Sequence, residues 1–387
     1  MSTSKYSKNK IRIAIVTNII PKYREGFYDR LIRREDLDVT VYCQDHIPGM
    51  NFITIHKKYG ERVKIIKFIS AKREKISWQF LPWYRIFKDY DVVFINGNPR
   101  VLSDVLISTV LQLLGRGVVQ WTMAHSYKSN YKYENIRLLW SRLFKRILVY
   151  TDAEVRFLRS KGFKNNFILG MNNGLDQKTI DAVSLKWTDA RLQEWRESKS
   201  IDNCVMLLSC ARLDTKNKFE QVVEALPLLI AKIPNLIWCL IGDGEEKYNL
   251  EKMTRAANLE NYVRFVGQIY QEEEIAPWFL SSKVLIHPAA IGLTLLHSFG
   301  YGLPVVIHGN SKLHGPEYSA FESEFNGRNF KIGDIRNLAD TVIELLSDTK
   351  ACSDMKENAL FIARNKYNVD VMVERFIQIA KTAAVRN

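Results

Sequence analysis

The chain has 387 residues, of which 47% are hydrophobic and 25% are charged, and its formal net charge is +14. This length is about twice that of a usual domain, so we expect a globular protein with two domains. The five cysteines are odd in number and lack Cys-x-x-Cys spacing, which argues against a disulfide framework and a zinc module. No apolar run approaches the ~20 residues that cross a bilayer, which argues against a transmembrane segment.

The first half of the chain alternates predicted strands and helices. Apolar runs rich in β-branched residues predict strands at 11–17, 37–43, 63–69, 91–97 and 118–123. The loop after the first run turns into a helix near Glu25. Arg24, in that loop, either faces an anion or is a solvated surface residue. Because strands and helices alternate, we expect a parallel sheet that helices cover on both faces.

Two segments of this half place cations beside large apolar side chains. In 72–88 (KREKISWQFLPWYRIFK), the aromatic residues either contact a membrane interface or complete the domain core. In 137–148 (RLLWSRLFKRIL), we interpret one apolar stripe as part of the core, and it consists of Leu138, Leu139, Leu143, Phe144 and Ile147.

His125 follows the strand predicted at 118–123, where α/β proteins form ligand sites, so it is a candidate for a functional as well as a structural histidine. Beyond the turn at 172–174 comes a polar stretch without a clear strand. We therefore place the domain boundary near residue 180. The predicted domains are 1–180 and 181–365, and a C-terminal helix at 366–387 could pack back on the first domain.

The second half repeats the pattern and predicts a second parallel sheet. Its strands are expected at 205–213, within 236–246, at 262–269 and at 284–288. Helical patterns lie at 219–230, 336–348, 354–364 and 370–383. Two such domains of similar size are expected to leave a cleft between the carboxyl ends of their sheets.

The stretch 287–327 concentrates the features of a phosphate site. It contains the end of a buried strand, a bend at Gly292, a short helix at 293–300, a Gly-Leu-Pro turn and a further strand. A helix that begins beyond the carboxyl end of a strand directs free backbone N–H groups and the positive end of its dipole at one point, which favours a phosphate. The same pattern is also typical of an ordinary strand–turn–helix connection.

The positive charge belongs to the first half. Residues 1–180 hold 32 Lys and Arg against 15 Asp and Glu, whereas residues 181–387 hold 24 against 27. This asymmetry predicts an anionic partner, and because no nucleic-acid-binding motif stands out, we favour an anionic membrane surface and expect no nucleic acid. The lysine-rich start of the chain is not typical of a secretory signal, so we expect a cytoplasmic protein that is peripheral at the inner face of the membrane.

The order of several segments resembles the nucleotide-sugar domain of family 4 of the glycosyltransferases. These segments are LLSCARLDTKNKFEQVVEAL, LIGDGEE, VRFVGQI, VLIHPAAIGLTLLHSFGYGLPVV and NGRNFKIGDIRNLADTVIELLSD. The first half is similar to bacterial members that build capsule, O-antigen or other surface glycans, through IPKYREGFY, GNPR, QWTMAHS, VYTDAEVRFLRSKGF and NNGLD. The resemblance implies the GT-B fold, an α/β architecture of two Rossmann-like, doubly wound parallel-sheet domains that face each other across a cleft.

The resemblance also implies an activity. Such a protein would be a retaining, metal-independent glycosyltransferase of the hexosyltransferase type, which needs no cofactor beyond its UDP- or GDP-linked sugar donor. Its acceptor would be a glycan or a polyprenyl-linked glycan in the synthesis of a surface polysaccharide such as lipopolysaccharide or capsule. Two alternatives remain open, namely a sugar-nucleotide epimerase of the same fold and a non-catalytic subunit that binds nucleotide sugars.

Particular residues take roles by this resemblance. Arg212 matches the arginine that faces the donor diphosphate. Asn217 stands in the place of the family's partner lysine, so either Lys216 or Lys218 is expected to serve, and we prefer Lys218. His125 matches a histidine near the transferred sugar. The remaining expected contacts are the backbone N–H groups of Gly292, Leu293 and Thr294 for the distal phosphate, the loop of Gly267, Gln268 and Ile269 for the base, and Arg24 for the acceptor or an anion.

One departure from the family's pattern concerns two glutamates eight positions apart, one for the sugar and one for the ribose hydroxyls. Ala289 and His297 stand in their places. His297 can still hydrogen-bond to a ribose hydroxyl, whereas the side chain of Ala289 offers no polar group. The sugar contact is then expected from backbone amides, His287 or Glu317.

Overall fold

The computed structural model describes residues 10–47, 54–71, 76–124 and 131–385. The chain forms two compact units. The first unit contains the residues up to Asn173 together with the segment from Val369 onward, and the second unit is Gly174–Asn368. Within the described ranges, no helix combines the length and the apolar character that a membrane span requires.

A seven-stranded parallel sheet forms the centre of the first unit. In chain order the strands of this unit are β1 (Ile11–Val16), β2 (Leu37–Cys43), β3 (Val63–Ile65), β4 (Phe68–Ala71), β5 (Ile76–Gln79), β6 (Val92–Asn96), β7 (Gly117–Thr122), β8 (Arg146–Val149) and β9 (Phe167–Gly170). β4 and β5 form a separate antiparallel hairpin. The other strands follow the order β3-β2-β1-β6-β7-β8-β9, so the direction of strand addition reverses between β1 and β6.

Helices cover both faces of this sheet because the strands bury side chains on both sides. The helices are α1 (Glu25–Ile32), α2 (Trp83–Lys88), α3 (Leu102–Leu113), α4 (Tyr131–Ser141) and α5 (Asp152–Ser160). The core on one face includes Ile86 of α2, Ile107 of α3, Trp140 of α4 and Leu158 of α5. On the other face, Phe27 of α1 belongs to a second core.

The first turn of α3 buries a carboxyl group. Asp104 is fully buried, its Oδ1 accepts a hydrogen bond from Ser103 Oγ at 3.3 Å, and its Oδ2 has no hydrogen-bond partner among the described residues. Burial raises the pKa of Asp104 to about 8, against the opposing effect of the Ser103 hydrogen bond. At neutral pH the folded protein therefore keeps Asp104 mostly protonated, and the core carries little charge at this position.

The second unit is built around a six-stranded parallel sheet. Its strands are β10 (Val205–Cys210), β11 (Leu236–Ile241), β12 (Val263–Gly267), β13 (Val284–His287), β14 (Val305–His308) and β15 (Gly327–Phe330), in the spatial order β12-β11-β10-β13-β14-β15. All six residues of β11 are buried, as expected for a parallel strand covered on both faces. At the centre of the sheet, Ser209 Oγ donates to the Ile286 carbonyl at 2.7 Å and accepts from Trp238 Nε1 at 2.9 Å.

Eight helices of the described chain surround this second sheet. They are α6 (Gln177–Ser184), α7 (Asp189–Ser198), α8 (Glu220–Ile230), α9 (Lys247–Ala256), α10 (Glu272–Ser281), α11 (Leu293–Gly300), α12 (Ile335–Ser347) and α13 (Thr349–Asn365). The core on one face contains Phe279 and Phe299, and the core on the other contains Phe219 and Leu338.

The last helix, α14 (Val369–Ala384), belongs to the first unit. Phe376 of α14 is fully buried, and its ring stacks on Phe94 of β6 with 4.0 Å between the ring centroids. Arg375 donates to Asp152 Oδ1 at 2.6 Å and to the Gly170 carbonyl at 2.7 Å. The C-terminal segment therefore completes the core that α1 shares with the first sheet.

The segment 63–69 is not the single strand predicted from its apolar residues. β3 ends at Ile65, the backbone N–H of Ile66 bonds to the Cys43 carbonyl at 2.9 Å, and the chain then leaves the sheet for the β4–β5 hairpin. Of the aromatic and basic segment that follows, residues 72–75 lie outside the described residues. Trp83 packs against the core, whereas Phe80 and Tyr84 are exposed, so only part of the segment completes the core.

The apolar stripe predicted over 137–148 is also wrong. Helical spacing does not extend through this segment, because α4 ends at Ser141 and β8 begins at Arg146. Leu139 is 70% exposed and Leu143 is 57% exposed, whereas Leu138, Phe144 and Ile147 are buried.

Candidate functional site

The strand order of the second unit reverses between β10 and β13. Connections that leave two neighbouring parallel strands in opposite directions open a crevice at the carboxyl edge of a sheet, where α/β proteins bind ligands. The loop after β10 carries Arg212, and the loop after β13 leads to Gly292. A hydrogen bond joins these two regions, because Thr294 Oγ1 donates to the Cys210 carbonyl at 2.9 Å. The fold thus brings together the two segments that were predicted to bind a diphosphate.

The first turn of α11 offers a set of backbone donors, which we call the amide cradle and define as the N–H groups of residues 292–294. Gly292 precedes the helix, and its carbonyl accepts the first helical bond, from Leu295 N at 3.0 Å. Among the described residues, none accepts a hydrogen bond from the cradle. A Cβ atom on Gly292 would meet no atom within 4 Å, so the turn borders open space. The positive end of the helix dipole adds to the attraction of an anion.

Three cations lie on the loop after β10. Arg212, Lys216 and Lys218 are all exposed, and within the described part of the chain none of them forms an ion pair. Lys218 has a φ of 53°, a left-handed conformation that is uncommon for a residue with a side chain. Its charge is close enough to β14 to contribute to the lowered pKa of His308. Among the described residues, the cations of this loop therefore have no counter-ion.

Backbone contacts hold this loop in place. Leu213 N donates to the Asp243 carbonyl at 2.9 Å, and Asn217 Nδ2 donates to the Arg212 carbonyl at 2.7 Å. Gly244 makes the approach possible, since a Cβ atom there would overlap the Leu213 carbonyl oxygen. Asn217, which stands in the place of the family's lysine, thus closes the loop beside Arg212.

A stack of aromatic rings supports the turn before the amide cradle. His314 accepts a hydrogen bond from Ile291 N at its Nδ1 (3.1 Å) and donates from Nε2 to the His308 carbonyl (2.8 Å). Its ring stacks on His308 at 3.9 Å and on Tyr318 at 4.2 Å. Burial lowers the pKa of both histidines, that of His308 to about 4, so they act as neutral supports. This stack was not predicted, and its sequence signal is the pair of histidines six residues apart, of which the first ends β14.

His287, one of the candidates for the sugar contact, is buried at the end of β13. Its Nδ1 lies 3.1 Å from the Ala289 carbonyl, and its ring packs edge-on against Phe219 at 5.6 Å. Burial lowers the pKa of His287 to about 4. His287 is therefore a neutral residue that holds the loop between β13 and the cradle.

His297 belongs to a further hydrogen-bonded group on α11, three residues after Thr294. Its Nε2 donates to Glu272 Oε1 at 2.8 Å, and the Tyr301 hydroxyl donates to the same oxygen. Burial acts to raise the pKa of Glu272, but the hydrogen bonds and charge of His297 and the Tyr301 hydroxyl outweigh it, and the pKa is lowered. Glu272 was not among the predicted site residues, because its partner His297 is distant along the chain. Its local sequence signal is that it begins a run of three glutamates.

Glu317 lies near the amide cradle. A Cβ atom on Gly315 would be 2.7 Å from Glu317 Oε2 and 3.8 Å from Gly292 Cα, which places the carboxylate beside the turn. The predicted base loop follows β12, two strands away from β10. Gly267 accepts a hydrogen bond from Gly242 N at 2.9 Å, Gln268 accepts one from the Tyr270 hydroxyl at 2.8 Å, and Ile269 packs against the core.

The other predicted residues lie elsewhere. His125 lies outside the described residues. Arg24 belongs to the first unit, where it is buried against Trp121. A large cavity of about 760 Å³ in the second unit is lined by Val205, Lys283 and Pro304, which stand at the amino ends of their strands. It is therefore at the edge of the sheet opposite the amide cradle, where parallel α/β proteins do not usually bind ligands.

Comparison with known proteins relates part of this chain to glycosyltransferases. Residues 192–360 match the family model of the glycosyl transferases group 1. The lipopolysaccharide core biosynthesis glycosyltransferase LpsE of Rhizobium meliloti (strain 1021) is 23% identical over 177 residues, which are 45% of this chain and 49% of that protein. The O-antigen biosynthesis glycosyltransferase WclY of Escherichia coli is 25% identical over 236 residues, 57% of this chain and 61% of that protein. The chain thus spans about half the length of the first of these relatives.

A solved structure extends the similarity to the whole fold. HepE of Anabaena, determined in complex with UDP, superposes with a TM-score of 0.72 at 15% identity and covers 96% of this chain and 100% of that chain. At this identity the likeness concerns the fold. The chain is thus an α/β protein of the GT-B fold class, with two Rossmann-like parallel-sheet units, and its residues 192–360 are similar to the glycosyl transferases group 1.

Proposed function

We propose that this chain is a glycosyltransferase that transfers a sugar from a UDP- or GDP-linked donor. The observation that carries the proposal is the hydrogen bond between Thr294 and Cys210, which holds the amide cradle and the cationic loop together at the β10–β13 junction. Both segments lie within the residues that are similar to the glycosyl transferases group 1. The binding of UDP by HepE, which shares the fold, supports a nucleotide diphosphate as the ligand.

The diphosphate lies between the cradle and the cations of the β10 loop. As the bond between the sugar and the diphosphate breaks, negative charge grows on the leaving phosphate. Arg212 and Lys218 stabilise that charge with charge-assisted hydrogen bonds, and the cradle adds backbone donors and the helix dipole. Since these groups supply positive charge, we propose that the reaction requires no metal and no other cofactor. We also propose that it retains the configuration of the transferred sugar, as in the family that the sequence resembles.

The ribose hydroxyls of the donor bind to the group formed by His297 and Glu272. The family's glutamate is absent at position 297, but the 2.8 Å hydrogen bond places a carboxylate from α10 beside the histidine. Glu272 retains partial exposure and influences the pKa of Cys210, at the end of β10, so it is near the junction. A lowered pKa keeps this carboxylate ionised and able to accept hydrogen bonds from hydroxyl groups.

The acceptor is a glycan or a lipid-linked glycan of a bacterial surface polysaccharide. The names of the relatives LpsE and WclY, which concern lipopolysaccharide core and O-antigen biosynthesis, support this class. We assign acceptor binding to the first unit, and we place His125 near the transferred sugar.

Membrane association is part of the same proposal. Within the first unit, α3 exposes Leu102, Leu106 and Leu113. Leu139 is exposed on α4, and Leu143 is exposed just after it. These apolar side chains, together with the excess of cations in residues 1–180, suit a peripheral position at an anionic inner membrane surface. Flotation with vesicles of neutral and of anionic lipid tests this point. Equal recovery with both vesicle types would remove the electrostatic part of the proposal.

The activity is tested by incubating the chain with a panel of UDP- and GDP-sugars, with and without solubilised lipid-linked glycan. Free nucleotide that appears only with the acceptor identifies a transferase, whereas a new nucleotide sugar without acceptor identifies an epimerase. Thermal-shift measurements with UDP, GDP, ADP and CMP identify the base, because a ligand of the native state raises the unfolding temperature.

Variants of the cationic loop test the assigned site. We expect Arg212→Ala and Lys218→Ala each to lower turnover by about 10²–10³-fold, because each removes a group that stabilises the leaving phosphate. Lys252→Ala, at an exposed position of α9, removes the same charge as a control. If nucleotide binds but neither the wild type nor any variant shows turnover, a non-catalytic binding subunit would be favoured.

A further inference from the structure

A small cavity of about 240 Å³ lies in the first unit, at the reversal of strand order between β1 and β6. Asn18 follows β1 and Asn96 ends β6, and both line the cavity together with Arg24, Trp121 and Tyr150. Asn96 Nδ2 donates to Asn18 Oδ1 at 3.3 Å, so the two carboxamides meet at the junction. This is the position at which parallel α/β sheets bind ligands, and it is separate from the site of the second unit.

Arg24 is an unusually buried cation in this cavity. It is only 7% exposed, and its Nη1 is buried without a hydrogen-bond acceptor among the described residues. Other arginines of the same unit have carboxylate partners, since Arg12 bonds to Asp91 at 2.8 Å and Arg30 bonds to Asp370 at 2.8 Å. A charge that is buried without a counter-ion is costly, and buried charges in proteins are normally paired.

Aromatic rings surround the Arg24 guanidinium. Its central carbon lies 5.5 Å from the ring centroid of Tyr23, and 5.8 Å from those of Trp121 and Tyr150. Such contacts attract the cation through the faces of the rings, but they do not accept the N–H bonds that lie in the guanidinium plane. These in-plane donors match the oxygen pairs of a phosphate or a carboxylate.

The cavity is too small for a nucleotide sugar, because pockets for drug-sized ligands begin at about 300 Å³. Its size and its lining of aromatic rings with a few polar groups suit one monosaccharide unit. We infer that the Arg24 cavity binds an anionic monosaccharide unit of the acceptor, with the phosphate or carboxylate group on Arg24. The identification of the ligand as the acceptor rests on the proposed function, whereas the anion site itself does not.

Calorimetric titrations of the full chain test the site with three probes that share a sugar ring: glucose 1-phosphate, glucuronate and neutral glucose. The Arg212→Ala background is used because it weakens the binding of a sugar phosphate at the cationic loop of the second unit. We expect glucose 1-phosphate or glucuronate to bind and glucose not to bind, and the stronger of the two anions identifies the group on the acceptor. Inorganic phosphate that binds as tightly as glucose 1-phosphate would overturn the saccharide part of the inference.

Substitution of Arg24 tests the assigned contact. Arg24→Gln is expected to weaken binding of the anionic probe by about 10- to 100-fold, which is the worth of a charge-assisted hydrogen bond. Arg24→Lys keeps the charge but lacks the in-plane donors of the guanidinium, so it should give an intermediate loss of affinity. Arg33→Gln removes an exposed cation just after α1 and is expected to change the affinity by less than about twofold. Equal affinities in the Arg24 and Arg33 variants would overturn the inference.

Two further measurements distinguish a ligand-binding Arg24 from a purely structural one, and the anion site from the donor site. In anion-free buffer, Arg24→Gln is expected to leave the unfolding temperature unchanged or raised, because it removes an uncompensated buried charge, and a large decrease would indicate a purely structural arginine. UDP binding, measured with Arg212 present, reports on the second unit. Anion binding that depends on Arg24 in a chain that fails to bind UDP would keep the anion site and reject the proposed donor site. UDP binding without anion binding would keep the proposed donor site and reject the anion site.

Discussion

Replacement of Asp104 by asparagine is expected to stabilise the first unit, and increasingly so as the pH rises. The carboxyl group is fully buried at the first turn of α3, and one of its oxygens has no hydrogen-bond partner among the described residues. Burial raises its pKa from 3.8 to about 8. Between these two values the folded state holds a proton that the unfolded state has released, so the free energy of unfolding falls as the pH rises.

The magnitude follows from the difference between the two pKa values. Each unit of separation corresponds to about 1.4 kcal/mol, so the stability lost by the wild type between pH 4 and pH 7 is about 4 kcal/mol, and the loss levels off above pH 8. Asparagine has nearly the shape of the protonated acid and does not titrate in this range. The advantage of the variant should therefore be near zero at pH 4 and approach its full value at pH 8.

Urea denaturation at four pH values between 5 and 8 measures this effect, with hydrogen exchange of α3 to identify the transition of the first unit. Asp89→Asn removes a carboxylate at an exposed position after α2 and serves as the control. The control should follow the pH dependence of the wild type closely. Parallel pH profiles for the wild type and Asp104→Asn would refute the assignment of a retained proton to Asp104.

Two further predictions concern the donor site and the core. Glu272→Gln should reduce the preference for UDP over 2′-deoxy-UDP by about 10-fold in calorimetric titrations, because an ionised acceptor of ribose hydroxyls is lost; Glu273→Gln is the neighbouring exposed control, and an unchanged preference would reject the ribose assignment. Phe376→Ala should destabilise the first unit by about 3–5 kcal/mol in urea denaturation, since it empties a fully buried ring site. Phe361→Ala, at a half-exposed position, should cost far less, and equal losses would contradict the role of α14 in the core.

The regular elements could be predicted where local sequence determines them. Continuous apolar runs predicted the central strands, and β11 is buried over its whole length. The helix expected at 293–300 is α11, because Gly292 and the Gly-Leu-Pro turn delimit it locally. The prediction was wrong where one apolar pattern spans the end of a helix and the start of a strand. Over 137–148 the same residues belong in part to a helix and in part to a strand, so one stripe could not describe them.

The candidate site was predictable in its segments but not in its pairings. The β10 loop and the turn at Gly292 carry recognisable signals, and parallel topology places them at one edge. The pairing of His297 with Glu272 depends on how α10 and α11 pack, which no local pattern records. The burial of Arg24 is likewise a property of the fold, since an arginine in a polar loop is usually exposed.

The return of α14 to the first unit has a consequence for the order of folding during synthesis. Residues 10–173 leave the ribosome long before α14, whose Phe376 stacks on Phe94. Until α14 is synthesised, the core of the first unit is therefore incomplete. The second unit is continuous in sequence and has all of its core residues earlier. Translation thus completes the later unit before the earlier one, and a chain that stops short of Val369 leaves the N-terminal core uncovered.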